Sequence, residues 1–134
     1  MAWKWGIAML EDVKYIELKS GYSDDGPAWI GKVKISKTGK TIYFNGHAFQ
    51  KQVGYNYNYV DIETDDEYWI SGLKKNECNR HWAGHGKVTI DRRYVNEYLQ
   101  YIGEKELNKT NYIVVDIKDD FPVERIQQLL NEKS

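Results

Sequence analysis

The sequence predicts a mainly β domain of α+β type finished by helices, on three observations. Residues 29 to 36 alternate with period 2, Asn45-Gly46 is a hairpin-turn dipeptide, and beyond residue 86 the apolar spacing becomes helical. Trp29, Gly31, Val33 and Ile35 alternate with Ile30, Lys32, Lys34 and Ser36, the signature of a half-buried strand. Ser36 to Lys40 supply a turn, after which Ile42 and Phe44 alternate with Thr41, Tyr43 and Asn45. Asn and Gly tolerate the positive φ angles of a type I′ turn, so Phe44 and His47 should flank it and residues 47 to 50 should return alongside. Strands at 59–63 and 67–73 are separated by Thr64-Asp65-Asp66, and further strands are expected at 3–10 and 13–19.

Val88 and Ile90 close a short strand, and Asp91 stands where an N-cap belongs. Tyr94, Val95, Tyr98, Leu99 and Ile102 form one helical stripe that Gly103 should end as a C′ residue. Residues 111–117 (NYIVVDI) read as a well-buried strand, and Pro122 opens a second helix with Val123, Ile126, Leu129 and Leu130 on one face. The expected architecture is an SH3-like small barrel or curved antiparallel sheet with two C-terminal helices. One domain spans 1–134, β-rich over 1–90 and helix, strand and helix over 91–134.

The chain's 134 residues suit a single core. Nineteen Lys and Arg nearly balance 20 Asp and Glu, which argues against nucleic acid as a partner. A single cysteine, Cys78, excludes an intramolecular disulfide framework, and no apolar run approaches membrane-spanning length; a cytoplasmic protein away from membranes is expected.

Gly39-Lys40-Thr41 imitates the end of a phosphate-binding loop, but position 34 holds lysine where that motif needs glycine. Cys78, His81 and His85 are zinc-type ligands within eight residues, yet Gly84 and Gly86 oppose the helix that would align the histidines, and no fourth ligand of that type lies nearby. No metal or other cofactor is expected. Tyrosines (11) outnumber phenylalanines (3), which suggests phenols at a surface. In Tyr55-Asn56-Tyr57-Asn58-Tyr59, strict alternation would place three phenols on one strand face; cross-strand packing or a loop is the competing reading.

The connection from 71 to 87 is long, polar and glycine-rich, and Lys74, Lys75, Arg80, His81, Trp82 and His85 combine cationic donors with a stacking ring. With Tyr43 and Trp69 they are the candidate ligand-binding residues. Arg80 is the expected anchor, because its planar fork engages a carboxylate or phosphate through two parallel hydrogen bonds.

The sequence resembles a family of small bacterial proteins that share a Ser-Lys-Thr-Gly-Lys-Thr-Ile-Tyr-Phe hairpin, here Ser36 to Phe44, and a Tyr-Trp-Ile-Ser-Gly-x-Lys-Lys-Asn segment, here Tyr68 to Asn76. Asn79-Arg80, Ile90-Asp91 and Glu97-Tyr98 continue the likeness, which spans residues 30 to 98. Members are sometimes labelled 1-deoxy-D-xylulose-5-phosphate synthase, an enzyme several times longer that binds thiamine diphosphate. The resemblance implies a recurring domain and brings no catalytic residues to this chain.

Two functions follow. The first is a noncatalytic module that uses its aromatic and cationic surface to bind a small anionic ligand or a protein or peptide partner. The second is a small hydrolase or transferase with Cys78, His81 or His85 at its centre and Arg80 as the oxyanion or phosphate clamp.

Overall fold

The structure, a computed structural model, describes residues 10–21, 26–75 and 87–117, together with Gln128 and Asn131. Eight strands form one sheet: β1 (Leu10–Leu18), β2 (Ala28–Ile35), β3 (Thr41–Phe44), β4 (His47–Lys51), β5 (Tyr59–Asp61), β6 (Glu67–Ser71), β7 (Val88–Asp91) and β8 (Tyr112–Val115). One α-helix, α1 (Val95–Ile102), lies between β7 and β8 and is entered through a 3-10 turn at Arg92–Tyr94.

The first six strands close on themselves. The order β1-β6-β5-β4-β3-β2 is antiparallel throughout, and β2 also pairs with β1, from Leu10 opposite Ile35 to Glu17 opposite Ala28. A six-stranded antiparallel barrel results, in which closure removes the free sheet edges wherever the strands overlap. The Asn45-Gly46 hairpin forms as expected: Phe44 pairs with His47, and both turn residues have positive φ, 50° and 78°.

β7 joins β2 in parallel through Ala28–Val88, Trp29–Thr89 and Ile30–Ile90, and β8 extends the sheet in parallel beside β7. Parallel neighbours need a crossover, and α1 supplies it. Asp91 caps the entry by accepting the Arg93 backbone N–H at 3.0 Å, and Gly103 ends the helix in the left-handed conformation, φ 75°. The Arg93 guanidinium bonds both Asp91 oxygens (3.2 and 2.7 Å) and the Ile117 carbonyl (3.0 Å), which ties the end of β7 to the chain leaving β8.

Alternation along β1 and β2 serves two cores. Ile16 and Val33 face the barrel interior with Ile42, Phe44, Phe49, Tyr68, Ile70 and Ile117. Val13, Tyr15, Ala28 and Ile30 face the opposite way and pack with Val88, Ile90, Tyr98 and Tyr112, so the helical stripe covers that face. Ile30, read from the sequence with the more polar face of its strand, is therefore fully buried.

Two further expectations are corrected. Ile113 is exposed in β8, so 111–117 is not buried throughout; among the described residues β8 has only β7 beside it. One α-helix is traced in full among the described residues where two were expected; of the stretch from Pro122 only Gln128 and Asn131 are described, both helical, and the rest lies outside the described residues. No helix of the described residues is long and apolar enough to cross a membrane.

The tyrosine surplus also has a structural explanation. Tyr15, Tyr43, Tyr68, Tyr98 and Tyr112 are buried, and the Tyr98 and Tyr112 hydroxyls share a 2.6 Å hydrogen bond. Tyr15 donates to the buried Glu17, whose other oxygen lies 2.9 Å from the Lys19 ammonium as an ion pair without hydrogen-bond alignment. Phenols here satisfy polar groups inside the fold.

Gly31 marks a close approach: an added Cβ would lie 2.7 Å from a Phe44 ring carbon and 3.6 Å from the Asp91 Cβ. Gly31→Ala is expected to lower stability by about 1–3 kcal/mol in urea unfolding through overpacking. A loss below roughly 0.5 kcal/mol would show that the Phe44 ring moves aside freely.

Candidate functional site

Among the concavities lined by described residues, two lie toward opposite ends of β1. The larger, about 450 Å³, lies where the chain leaves β6, and its walls are Asp12 and Val13 of β1, Gly72 and Leu73, and Glu97, Gln100 and Tyr101 of α1. The Tyr101 hydroxyl donates to the Leu73 carbonyl at 3.1 Å, and the Lys75 ammonium sits 5.9 Å from the Tyr101 ring centroid, within cation–π range.

This groove follows a strand-length mismatch. β6 covers β1 only from Tyr15, opposite Ser71, to Leu18, opposite Tyr68, so Leu10 to Lys14 pair with β2 alone among the described residues. The Leu18 amide points to β2 (Pro27 carbonyl, 2.9 Å) and the Lys19 amide to β6 (Glu67 carbonyl, 2.7 Å). Counting back by twos, Glu11 and Val13 turn their backbone groups to the open edge. The Val13 N–H is met there by its neighbour's carboxylate, Asp12 Oδ1, at 2.9 Å.

The smaller concavity, about 30 Å³, opens at the other end of the barrel between Ile16, Trp29, Phe44, Asn45, His47, Phe49 and Tyr68. The β3–β4 hairpin carries four of these residues on or beside its turn. Phe49 and Tyr68 pack with ring centroids 4.7 Å apart, Trp29 stands 6.4 Å from Tyr68, and His47 stacks on Phe49 at 6.1 Å. His47 Nδ1 is 3.0 Å from Oδ2 of Asp61, whose other oxygen accepts the Glu63 and Thr64 amides at 2.8 and 3.4 Å. The His47 side chain is 42% exposed and that of Asp61 1%.

The hydrogen bond to Asp61 holds the imidazole pKa above its ordinary value against the opposing effect of partial burial, with the Asp61 and Glu63 charges adding to the rise. Burial alone would raise the Asp61 carboxyl, but the His47 bond and the backbone donors outweigh it, and its pKa falls below the ordinary value.

Of the residues expected to bind ligand, Lys74 and Lys75 are exposed beside the groove. Trp69 is 40% exposed on β6, opposite Glu17 of β1. Tyr43 is 2% exposed and burial pushes its hydroxyl up to about 12, so it offers no surface, and its strand does not adjoin that of Trp69. Arg80, His81, Trp82 and His85, with Cys78, lie outside the described residues. The tyrosine ladder does not form: only Tyr59 of the five residues is in a strand, and Tyr55 is fully exposed. Asn58 instead uses its amide to bond the Ile70 carbonyl and N–H at 2.7 and 2.8 Å.

The sequence reading missed the His47–Asp61 pair. The register held a signal for it: Phe49 pairs with Asp61, so a histidine two positions before Phe49 shares its face beside the aspartate. No family model, curated protein or solved structure matches the chain.

The pair predicts a window of stability. His47, with a raised folded pKa, contributes fully below its unfolded value near 6.5 and loses that contribution as pH rises through the folded value. Asp61, with a lowered folded pKa, contributes above its unfolded value near 3.8 and loses that as pH falls through the folded value. Between these values both contributions are present. Asp61→Ala should cost on the order of 3 kcal/mol at about pH 5.5, where it strips a charged acceptor from two backbone amides and His47. His47→Gln should flatten the decline of melting temperature from about pH 6 to about pH 9. An unchanged slope in that variant would remove the imidazole as its cause.

Proposed function

We propose that this protein is a noncatalytic recognition module, built on an SH3-like barrel, that binds an extended segment of a protein or peptide partner in the groove between β1 and α1. The observation that carries the reading is the edge of β1 that β6 leaves uncovered among the described residues, beside a concavity of about 450 Å³. A pocket of this size lies in the usual ligand range, roughly 300–1,000 Å³. An extended peptide gains main-chain hydrogen bonds by adding to an uncovered strand, while side-chain pockets alongside give specificity. Asp12 Oδ1 accepts the Val13 N–H and must swing away for a peptide strand to pair there, which discourages indiscriminate edge pairing.

The groove walls favour a peptide over a small anion. Asp12 and Glu97 supply carboxylates, while Lys74 and Lys75 supply cations beside them, a mixed surface suited to a segment of both charges. The Tyr68 to Asn76 segment, through which the chain resembles a recurring bacterial domain, contributes Gly72 and Leu73 to the wall. Tyr101 is the natural anchor, an aromatic side chain on the groove wall whose polar tip is held by the Leu73 carbonyl.

Peptides selected from a displayed library against the whole chain test the reading. Titration should shift the backbone amides of Glu11 and Val13, and Tyr101→Ala should weaken binding by about 1–2 kcal/mol, or roughly five- to thirtyfold. Perturbations confined to residues away from β1 and α1 would overturn the assignment of the groove.

A further inference from the structure

We propose that the aromatic mouth at the opposite end of the barrel is a second binding site, for an N-methylated ammonium group that retains an N–H, with Trp29, Phe44, Phe49 and Tyr68 as its walls and His47 as acceptor. The four rings come from β2, β3, β4 and β6, so the closed barrel fixes their spacing before any ligand arrives. Aromatic faces carry negative quadrupole charge, and a cation placed among several of them is attracted by each. Asn45 and His47 are the polar members of the lining, and neither Lys nor Arg is among its described residues.

Size narrows the ligand. A cavity of about 30 Å³ accepts one or two methyl-sized groups, since a water needs roughly 10–15 Å³ on the same kind of measure. A planar heterocycle is excluded, and an N-methyl head on a flexible stem is accommodated.

His47 sets the charge and the hydrogen bond. With its Nδ1–H donated to Asp61, a neutral imidazole keeps the lone pair of Nε2, across the ring, as an acceptor for the ligand's N–H. The anionic groups that act on His47 are Asp61 and Glu63, from the end of β5 and its turn, and they favour a cation at the mouth. Tyr68, from β6, stays neutral, its hydroxyl pushed up to about 12 by burial with the Asp61 and Asp66 charges adding. Ile16, Trp29, Phe44, Asn45 and Phe49, from the remaining elements around the mouth, bring no charge. Protonation of His47 converts the acceptor into a donor and adds a positive charge, so it competes with the ligand.

The probe is Nα-acetyl-Nε,Nε-dimethyl-lysine amide, titrated into the whole chain while the Trp29 indole N–H and the His47 ring signals are followed by NMR. Saturable shifts are expected at about pH 9, with binding weaker by roughly fivefold or more at about pH 5.5. Trp29→Leu should weaken binding by about fivefold. His47→Gln, a change at a part-exposed side chain, should weaken binding several-fold at about pH 9 through loss of the acceptor and should lose the pH dependence, while an unchanged melting temperature at that pH separates this from a general loss of folding. The proposal is overturned by an absence of saturable shifts in both signals, by tighter binding at the lower pH, or by equal binding of the unmethylated lysine derivative or of isobutanol as a neutral mimic of the head.

Discussion

The close approach at Gly31 is the constraint on which the rest of the structure depends. β2 has β1 on one side along its whole length, but its other side is divided, with β7 beside Ala28 to Ile30 and β3 beside Lys34 and Ile35. The two branches part around Gly31, where Phe44 from the end of β3 and Asp91 from the end of β7 both come against the position a Cβ would occupy. Without a side chain there, one strand can belong to a closed antiparallel barrel and to a parallel three-stranded extension. Phe44 then reaches the aromatic mouth, and Asp91 turns the chain into α1 through its cap and its bonds to Arg93.

The same division explains why β1 and β2 are covered on both faces. A strand in a simple barrel alternates between core and solvent, and period 2 was legible for that reason. Trp29, Gly31, Val33 and Ile35 do share the inner face, and the hairpin at Asn45-Gly46, the cap at Asp91, the stripe from Tyr94 to Ile102 and the stop at Gly103 were equally plain, because each is written in neighbouring residues. The outer cover was not legible. It depends on β7 returning to lie parallel to β2 from 60 residues along the chain, and no local pattern specifies that partner.

The candidate sites divide in the same way. Lys74 and Lys75 were recognisable as exposed because they begin a polar connection, whereas Tyr43 was misplaced because its strand alternates between two apolar faces, Thr41 to Phe44 being buried throughout. His47 and Asp61 escaped notice because 14 residues separate them and only the β4–β5 register makes them neighbours. Asn58 shows the converse: its place in an alternating polar pattern suggested a strand, but its side chain forms the bonds that a neighbouring backbone would supply.

Both concavities arise from the ends of β1 and from the barrel's failure to match its strands in length. At the Leu18 end, the β3–β4 hairpin and the start of β6 bring rings around a narrow opening whose walls are fixed by ladder pairing, so that end suits a small head with one defined hydrogen bond. At the Leu10 end, β6 stops short and α1 approaches across the gap, leaving backbone groups of β1 beside a wider polar groove suited to an extended chain. Val13 and Leu18, whose amide reaches the Pro27 carbonyl before β2, are five positions apart along β1, a span of roughly 17 Å at strand rise. One partner could engage both ends only by lying along the barrel, and two short ligands could bind independently. Coupling between the sites would have to pass through the β1–β2 ladder, which contributes side chains to both cores and cannot shift without disturbing them.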